Sequence, residues 1–191
     1  IDDEASNYWL ELIASTLFIS KIGVKKNLLT AQNYINDISE IKSDSRHKEG
    51  LFQGLKETGR EFHITVAILF KNKDKYLFIK KSDPAYNKNY SLVAGHLENN
   101  ETPLMAIQRE VKEELNIIVK YPQLLQKEAN INETCRYGIN IHDWYIFTSE
   151  QIKIGQKITP DKSEIENIEW MTIEDIKMNK IYNASPKKPE G

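Results

Sequence analysis

Glu110, Glu113 and Glu114 occupy positions i, i+3 and i+4 of one segment. If that segment is helical, the spacing sets three carboxylates side by side. Like charges on one helical face repel, and the helix dipole opposes anions toward the C-terminal end as well. A hard divalent cation removes both objections, because magnesium takes oxygen ligands and leaves positions for waters and substrate phosphates. Read alone, a Glu-rich helix is a solvated face. Three neighbours change that reading. The cluster abuts an apolar stripe, Arg109 precedes it directly, and the loop Gly95-His96-Leu97-Glu98-Asn99-Asn100-Glu101 brings two further glutamates. The chemistry implied is phosphoryl transfer, which depends on positioning and charge neutralisation more than on covalent catalysis.

The elements that position these residues are legible in outline. Thr102 followed by Pro103 is a helix start, a hydroxyl cap and then proline at the first helical position. At about 100° per residue, Leu104, Ile107, Val111 and Leu115 form a stripe expected to pack on a sheet. Glu114 then lies nearest the buried edge and Glu113 points furthest outward. From Glu61 the pattern becomes that of strands. Residues 63–70 are nearly all apolar and β-branched, which predicts a strand buried on both faces. Residues 71–74 have turn chemistry and 75–80 return as the second strand of a hairpin. A polar loop spans 82–89, and a short apolar segment follows at 90–94. Strands are expected at 117–121, 142–147, 152–158 and 166–171, with Thr172 capping a helix through 178. Ahead of this region, Tyr8, Trp9, Leu12, Ile13, Leu17 and Phe18 recur at helical spacing, as do Tyr34, Ile35, Ile38 and Ile41. A polar linker at 43–50 and a short helix over 51–56, ending at Gly59, complete the expectation.

Composition narrows the partners. The 191 residues are 40% hydrophobic and 28% charged, enough apolar content for a packed core. Lys and Arg number 26 against 28 Asp and Glu, a formal net charge of −2. That balance gives no global attraction to nucleic acid or to an anionic membrane. The single Cys135 excludes an internal disulfide framework and a Cys-rich zinc site. No apolar run approaches the roughly 20 residues that span a bilayer, and no signal peptide is evident. A cytoplasmic protein with no nucleic-acid and no membrane partner is the expectation.

The stretch from Gly95 to Ile117 resembles the box of the Nudix hydrolase family. That box is a glycine, five residues, Glu, seven residues, then Arg-Glu-apolar-x-Glu-Glu-x-Gly-apolar. The matching positions are Gly95, Glu101, Arg109, Glu110, Val111, Glu113, Glu114 and Ile117, with Asn116 in place of the last glycine. A chance match has odds on the order of 10⁻⁶ at average residue usage. Asn is the next-best residue for a left-handed helix end, so the departure is mild.

The resemblance implies an α/β Nudix fold, a mixed β-sheet sandwiched between helices, with a small N-terminal helical extension. The division is then 1–58 as helical extension, 59–180 as the Nudix hydrolase domain and 181–191 as a flexible tail. The implied activity is metal-dependent hydrolysis of a pyrophosphate bond in a nucleoside diphosphate linked to another moiety, with Mg2+ or Mn2+ as cofactor. Carried over by position, Glu110 and Glu114 are principal metal ligands, and Glu113 is a ligand or water activator. Arg109 pairs with Glu101 to hold the loop against the helix, Glu98 contacts a second metal, and the carbonyl of Ala94 is a candidate inner ligand. A distant carboxylate is the other source of a general base: Glu133, Glu150, Asp161 or Glu164.

The remaining polar residues carry weaker signals. Tyr90, Lys80 and Arg60 are candidates for substrate contact, as are Tyr86 and Lys81, although hairpin-end lysines are mostly solvated. His63 and His142 read as packing or surface residues, His96 as a loop residue, Trp144 and Trp170 as core, and Cys135 as an inert thiol. The partner is a nucleotide-derived small molecule. The N-terminal helices either pack on the domain or form a homodimer with their twin. The alternative function is a nucleotide-binding regulatory module without turnover, but such modules commonly lose box carboxylates and this chain retains Glu110, Glu113 and Glu114.

Overall fold

The computed structural model describes residues 51–56, 58–84, 90–132, 135 and 137–178. The two expected N-terminal helices, their linker, Tyr86, Glu133 and the tail lie outside the described residues. Among the described residues, eight strands and two helices follow in chain order. They are β1 (Gln53–Leu55), β2 (Glu61–Asn72), β3 (Lys75–Lys81), β4 (Tyr90–Ser91), β5 (Val93–His96), α1 (Pro103–Leu115), β6 (Gln123–Asn132), β7 (Ile141–Ser149), β8 (Ile165–Met171) and α2 (Ile173–Met178).

β2 is the spine. Eight of its residues pair in parallel with β7, from His63 opposite His142 to Phe70 opposite Ser149. On its other edge β2 receives β1 and then β5, both antiparallel. Its last two residues turn into the hairpin with β3, which pairs onward with β4 and β8. The sheet is mixed, as expected. β2 is buried on both faces because strand alternation feeds two separate cores. Ile64, Val66, Ile68 and Phe70 meet Ile107, Val111 and Leu115 of α1 on one face. Ala67 and Leu69 meet Phe78, Trp144 and Ile176 of α2 on the other. The sheet is therefore covered by a helix on each side, and β5, between β2 and α1, carries the loop that leads into α1.

Four local expectations change. Residues 53–55 form β1 and not a helix, because pairing with Phe62 and its neighbours outweighs weak local propensity. The strand expected at 117–121 starts later, as β6. β6 is an edge strand with two register shifts against β7, so period-2 alternation never develops. Residues 152–158 alternate apolar and polar, yet Gly155 at φ +84° and the bond from Gln156 N–H to the Lys153 carbonyl turn them into a loop. Leu104 is 39% exposed; the buried positions of α1 are Pro103, Ala106, Ile107, Val111, Glu114 and Leu115. Pro103, and not Leu104, takes the buried place in the first turn.

Both ends of α1 are fixed by the residues the sequence singles out. The Thr102 hydroxyl accepts from the Met105 N–H at 3.2 Å. Asn116 adopts φ 55°, ψ 36°, and its N–H donates to the Lys112 carbonyl, the left-handed helix end that glycine usually supplies. These caps keep the acidic face in register with the sheet. Ile107→Ala is expected to destabilise the fold by about 2–5 kcal/mol in urea unfolding, by lost burial plus a cavity. Met105→Ala, at a position half in solvent, is expected to change stability by less than about 0.5 kcal/mol.

Candidate active site

The acidic face of α1 is organised by two cations and one glycine. Arg109 Nε and Nη2 donate to the two Glu101 oxygens at 2.8 and 3.0 Å. This fork ties the 97–102 loop to the helix, a planar match that lysine could not make. Arg109 Nη1 donates to Glu110 at 2.7 Å and to Glu113 at 3.0 Å, and Nη2 reaches the His96 carbonyl at 3.0 Å. Glu98 stands 3.8 Å from the same guanidinium, and its N–H donates to Glu101 at 3.1 Å. Burial works against the Arg109 charge, but the Glu101 bonds and the Glu110 charge hold it above its ordinary range.

Gly95 packs against Glu110. A Cβ built on Gly95 would lie 1.9 Å from Glu110 Oε1, so glycine is required for the carboxylate to rest on β5. The obstruction is a side-chain tip, and the backbone itself has room. Gly95→Ala is therefore expected to leave the fold largely intact while expelling the Glu110 carboxylate. Isothermal titration should then show divalent-cation affinity lower by at least about tenfold, with a melting curve close to that of the parent chain.

Glu114 is the most constrained of the three. Its side chain is 1% exposed and pairs with Lys81 at the end of β3. Its other oxygen, Oε2, is buried with no hydrogen-bond partner. Burial pushes its pKa up to about 7, with Lys81 opposing that rise and Glu110 and Glu164 adding to it. Glu110 is raised for the same first reason, burial, partly offset by Arg109 and Lys81. Glu113 remains 53% exposed. The sequence ordering, Glu114 inward and Glu113 outward, is what the helix shows. The set suits a hard divalent cation: three carboxylates converge on one helix face, and one buried oxygen lacks a donor.

Other candidates lie at varying distance from this cluster. Lys80 follows Tyr76 and Phe78 in the alternation of β3, on the face away from α1. It pairs with Glu166 at 3.2 Å, while Tyr90, its register partner, donates to Glu169 at 2.5 Å. Arg60 is exposed ahead of β2. Lys81, read as a mostly solvated hairpin-end charge, proves to be the cation on Glu114. One position separates it from Lys80, so strand alternation turns Lys80 with Tyr76 and Phe78, and Lys81 with Leu77 and Ile79 toward α1. Of the distant carboxylates, the segment carrying Asp161 and Glu164 lies nearest, since Asp161 N–H donates to the Glu114 carbonyl at 3.1 Å. Asp161 itself is turned to Ser163, which holds its carboxyl below the ordinary range.

Comparison with known proteins agrees with this geometry. A family model of the NUDIX domain matches residues 61–189. Among solved structures, a Nudix hydrolase from Nitrosomonas europaea is similar at TM-score 0.50 and 24% identity, over 61% of this chain and 76% of that one. A MutT Nudix hydrolase from Burkholderia pseudomallei is similar at TM-score 0.51 and 17% identity, over 60% and 85%. The Nudix domain of NrtR from Shewanella oneidensis, solved with ADP ribose, gives TM-score 0.51 and 12% identity, over 78% and 88%. At these identities the likeness is one of fold. Comparison with curated proteins yields no match. The family match supports a hydrolase acting on pyrophosphate bonds. The chain belongs to the Nudix family.

Glu114 generates a pH expectation. The folded state holds its proton more tightly than the unfolded chain does. The stability this adds is complete below the ordinary carboxylate range and is lost as pH rises through about 7. Without divalent cation, the melting temperature is expected to fall between about pH 5 and about pH 8. Glu114→Gln should flatten that part of the profile, as differential scanning calorimetry would show.

Proposed function

We propose that this chain hydrolyses a pyrophosphate bond in a nucleoside diphosphate linked to another moiety, with Mg2+ or Mn2+ as the working ion. One observation carries the reading: a buried Glu114 oxygen without a hydrogen-bond partner, on the same helix face as a Glu110 carboxylate seated on Gly95. Buried carboxylates are costly, and an oxygen denied a donor is costlier still. A cation bound there relieves both.

In this reading Glu110 and Glu114 hold the ion, with Glu113 and Glu98 at its solvent side. A bound ion would lower the pKa of a coordinated water and offset charge developing on phosphate oxygens. The chain's own residues do the rest. Glu113, the exposed member of the trio, takes a proton from water in this reading. Arg109 and Glu101 act as positioning residues, since their fork fixes the loop and the orientation of Glu110. Lys81 neutralises Glu114 when no ion is bound, so it stays with the site as a second cation near the phosphates. The neighbour solved with ADP ribose supports a ligand in which a diphosphate joins a nucleoside to a second group.

The test is phosphate release from nucleoside triphosphates, nucleotide sugars, ADP-ribose and dinucleoside polyphosphates, with and without magnesium. Metal-dependent turnover of at least one is expected. Glu114→Gln should lower kcat by roughly 10²-fold or more while the protein stays folded. Binding without turnover across the whole panel would favour a regulatory module instead.

A further inference from the structure

The face of the sheet away from α1 carries a second cluster that the acidic site does not use. His63 on β2, His96 on β5 and His142 on β7 project from that face, and Cys135 approaches from the connection between β6 and β7. The register explains the convergence. His63 is paired directly with His142, and His96 is opposite Thr65, two residues along β2, so strand alternation sends all three rings the same way. The ring centroids are 5.1 Å apart for His63 and His96, 5.7 Å for His63 and His142, and 5.5 Å for His96 and His142. Cys135 Sγ lies 3.6 Å from His63 Nδ1. One ligand atom from each of the four residues falls within 4.8 Å of all the others.

We propose that these four residues form a tetrahedral transition-metal site, with zinc as the fitting ion. Zinc bonds of roughly 2.0–2.1 Å to nitrogen and 2.3 Å to sulfur place tetrahedral ligand atoms about 3.3–3.6 Å apart. The Cys135–His63 distance already meets that figure, and the other atoms need draw in by about 1.5 Å at most. Three imidazoles and one thiolate are donors for a borderline-soft ion, whereas magnesium and calcium prefer oxygen. Burial strengthens the case. His63 is fully buried and His142 is 2% exposed, yet histidine is seldom buried so completely. Three rings gathered at such short range repel one another once protonated. A shared cation requires them neutral and turns crowding into coordination. With four protein ligands the coordination shell is closed, so the site is structural. Its reach is still toward the reaction centre: Gly95 faces Glu110, while the next residue, His96, joins this cluster and gives its carbonyl to Arg109. An ion here would fasten β2, β5 and β7 to Cys135 at the end of the sheet that carries the active loop.

The site is separate from the one that hydrolyses phosphoanhydrides, and its test does not depend on turnover. The full chain, stripped with chelator, refilled with zinc and desalted into excess magnesium, is expected to retain one equivalent of zinc by mass spectrometry. At a hundredfold excess over Kd, zinc should raise the melting temperature by roughly 5 °C or more. Cobalt in place of zinc should give tetrahedral visible bands with a thiolate charge-transfer band. Cys135→Ser, at a partly exposed position, should abolish the charge-transfer band and weaken zinc retention by at least about tenfold. His142→Gln should lose stoichiometric binding; if that variant fails to fold, the Cys135→Ser result decides. Zinc retention well below one equivalent in the parent chain would overturn the proposal. So would equal retention by Cys135→Ser, or an octahedral, oxygen-type cobalt spectrum.

Discussion

The active loop and helix are held by charge that a helix face would not gather for its own stability. Glu110, Glu113 and Glu114 crowd the last two turns of α1, where both mutual repulsion and the dipole oppose them. The fold answers with Arg109 and Lys81, one from the helix itself and one from β3. Arg109 serves two ends at once, because its fork on Glu101 is also what closes the 97–102 loop. Removing one partner from such a network leaves the others with uncompensated charge at a partly buried place, which costs more than the lost pair alone. The rest of the architecture exists around that constraint: β2 supports α1 from below, β5 offers a glycine to Glu110, and β3 delivers the lysine.

The same economy of placement runs through β2 and β5. Each strand presents one face to α1 and the other to the second core, so neighbouring residues do unrelated work. Gly95 is needed small on one side, and His96 is needed as a ring on the other. Ile64 and Val66 pack under α1 while His63 and Thr65 point away. A one-residue slip in pairing would exchange these faces. The long parallel register between β2 and β7, together with the caps on α1, prevents it.

Much of the fold was legible because its signals are local. Thr102-Pro103 and Asn116 mark helix ends by chemistry intrinsic to those residues, and the i, i+3, i+4 glutamates predict their own inward and outward order. The Nudix resemblance rested on residues that the structure gathers around Arg109. What the sequence concealed depends on tertiary pairing. β1 has no pattern of its own and exists because β2 accepts it. β6 loses its alternation to two register shifts. Lys81 and Lys80 differ by strand alternation, and only the tertiary pairing shows which of them meets Glu114. The His and Cys cluster joins residues up to 79 positions apart, which no spacing rule connects. Cys135 therefore reads as an inert thiol, and His63 and His142 as packing or surface residues.

The central claim is that the acidic face of α1 is built for a divalent cation. The most direct measurement is an anomalous difference map from crystals of the full chain soaked in manganese. A peak is expected at about 2.2 Å from carboxylate oxygens of Glu110 and Glu114, with the Lys81 ammonium displaced from its present contact. A map with no peak on that helix face, or with Lys81 still paired to Glu114 at saturating manganese, would contradict it.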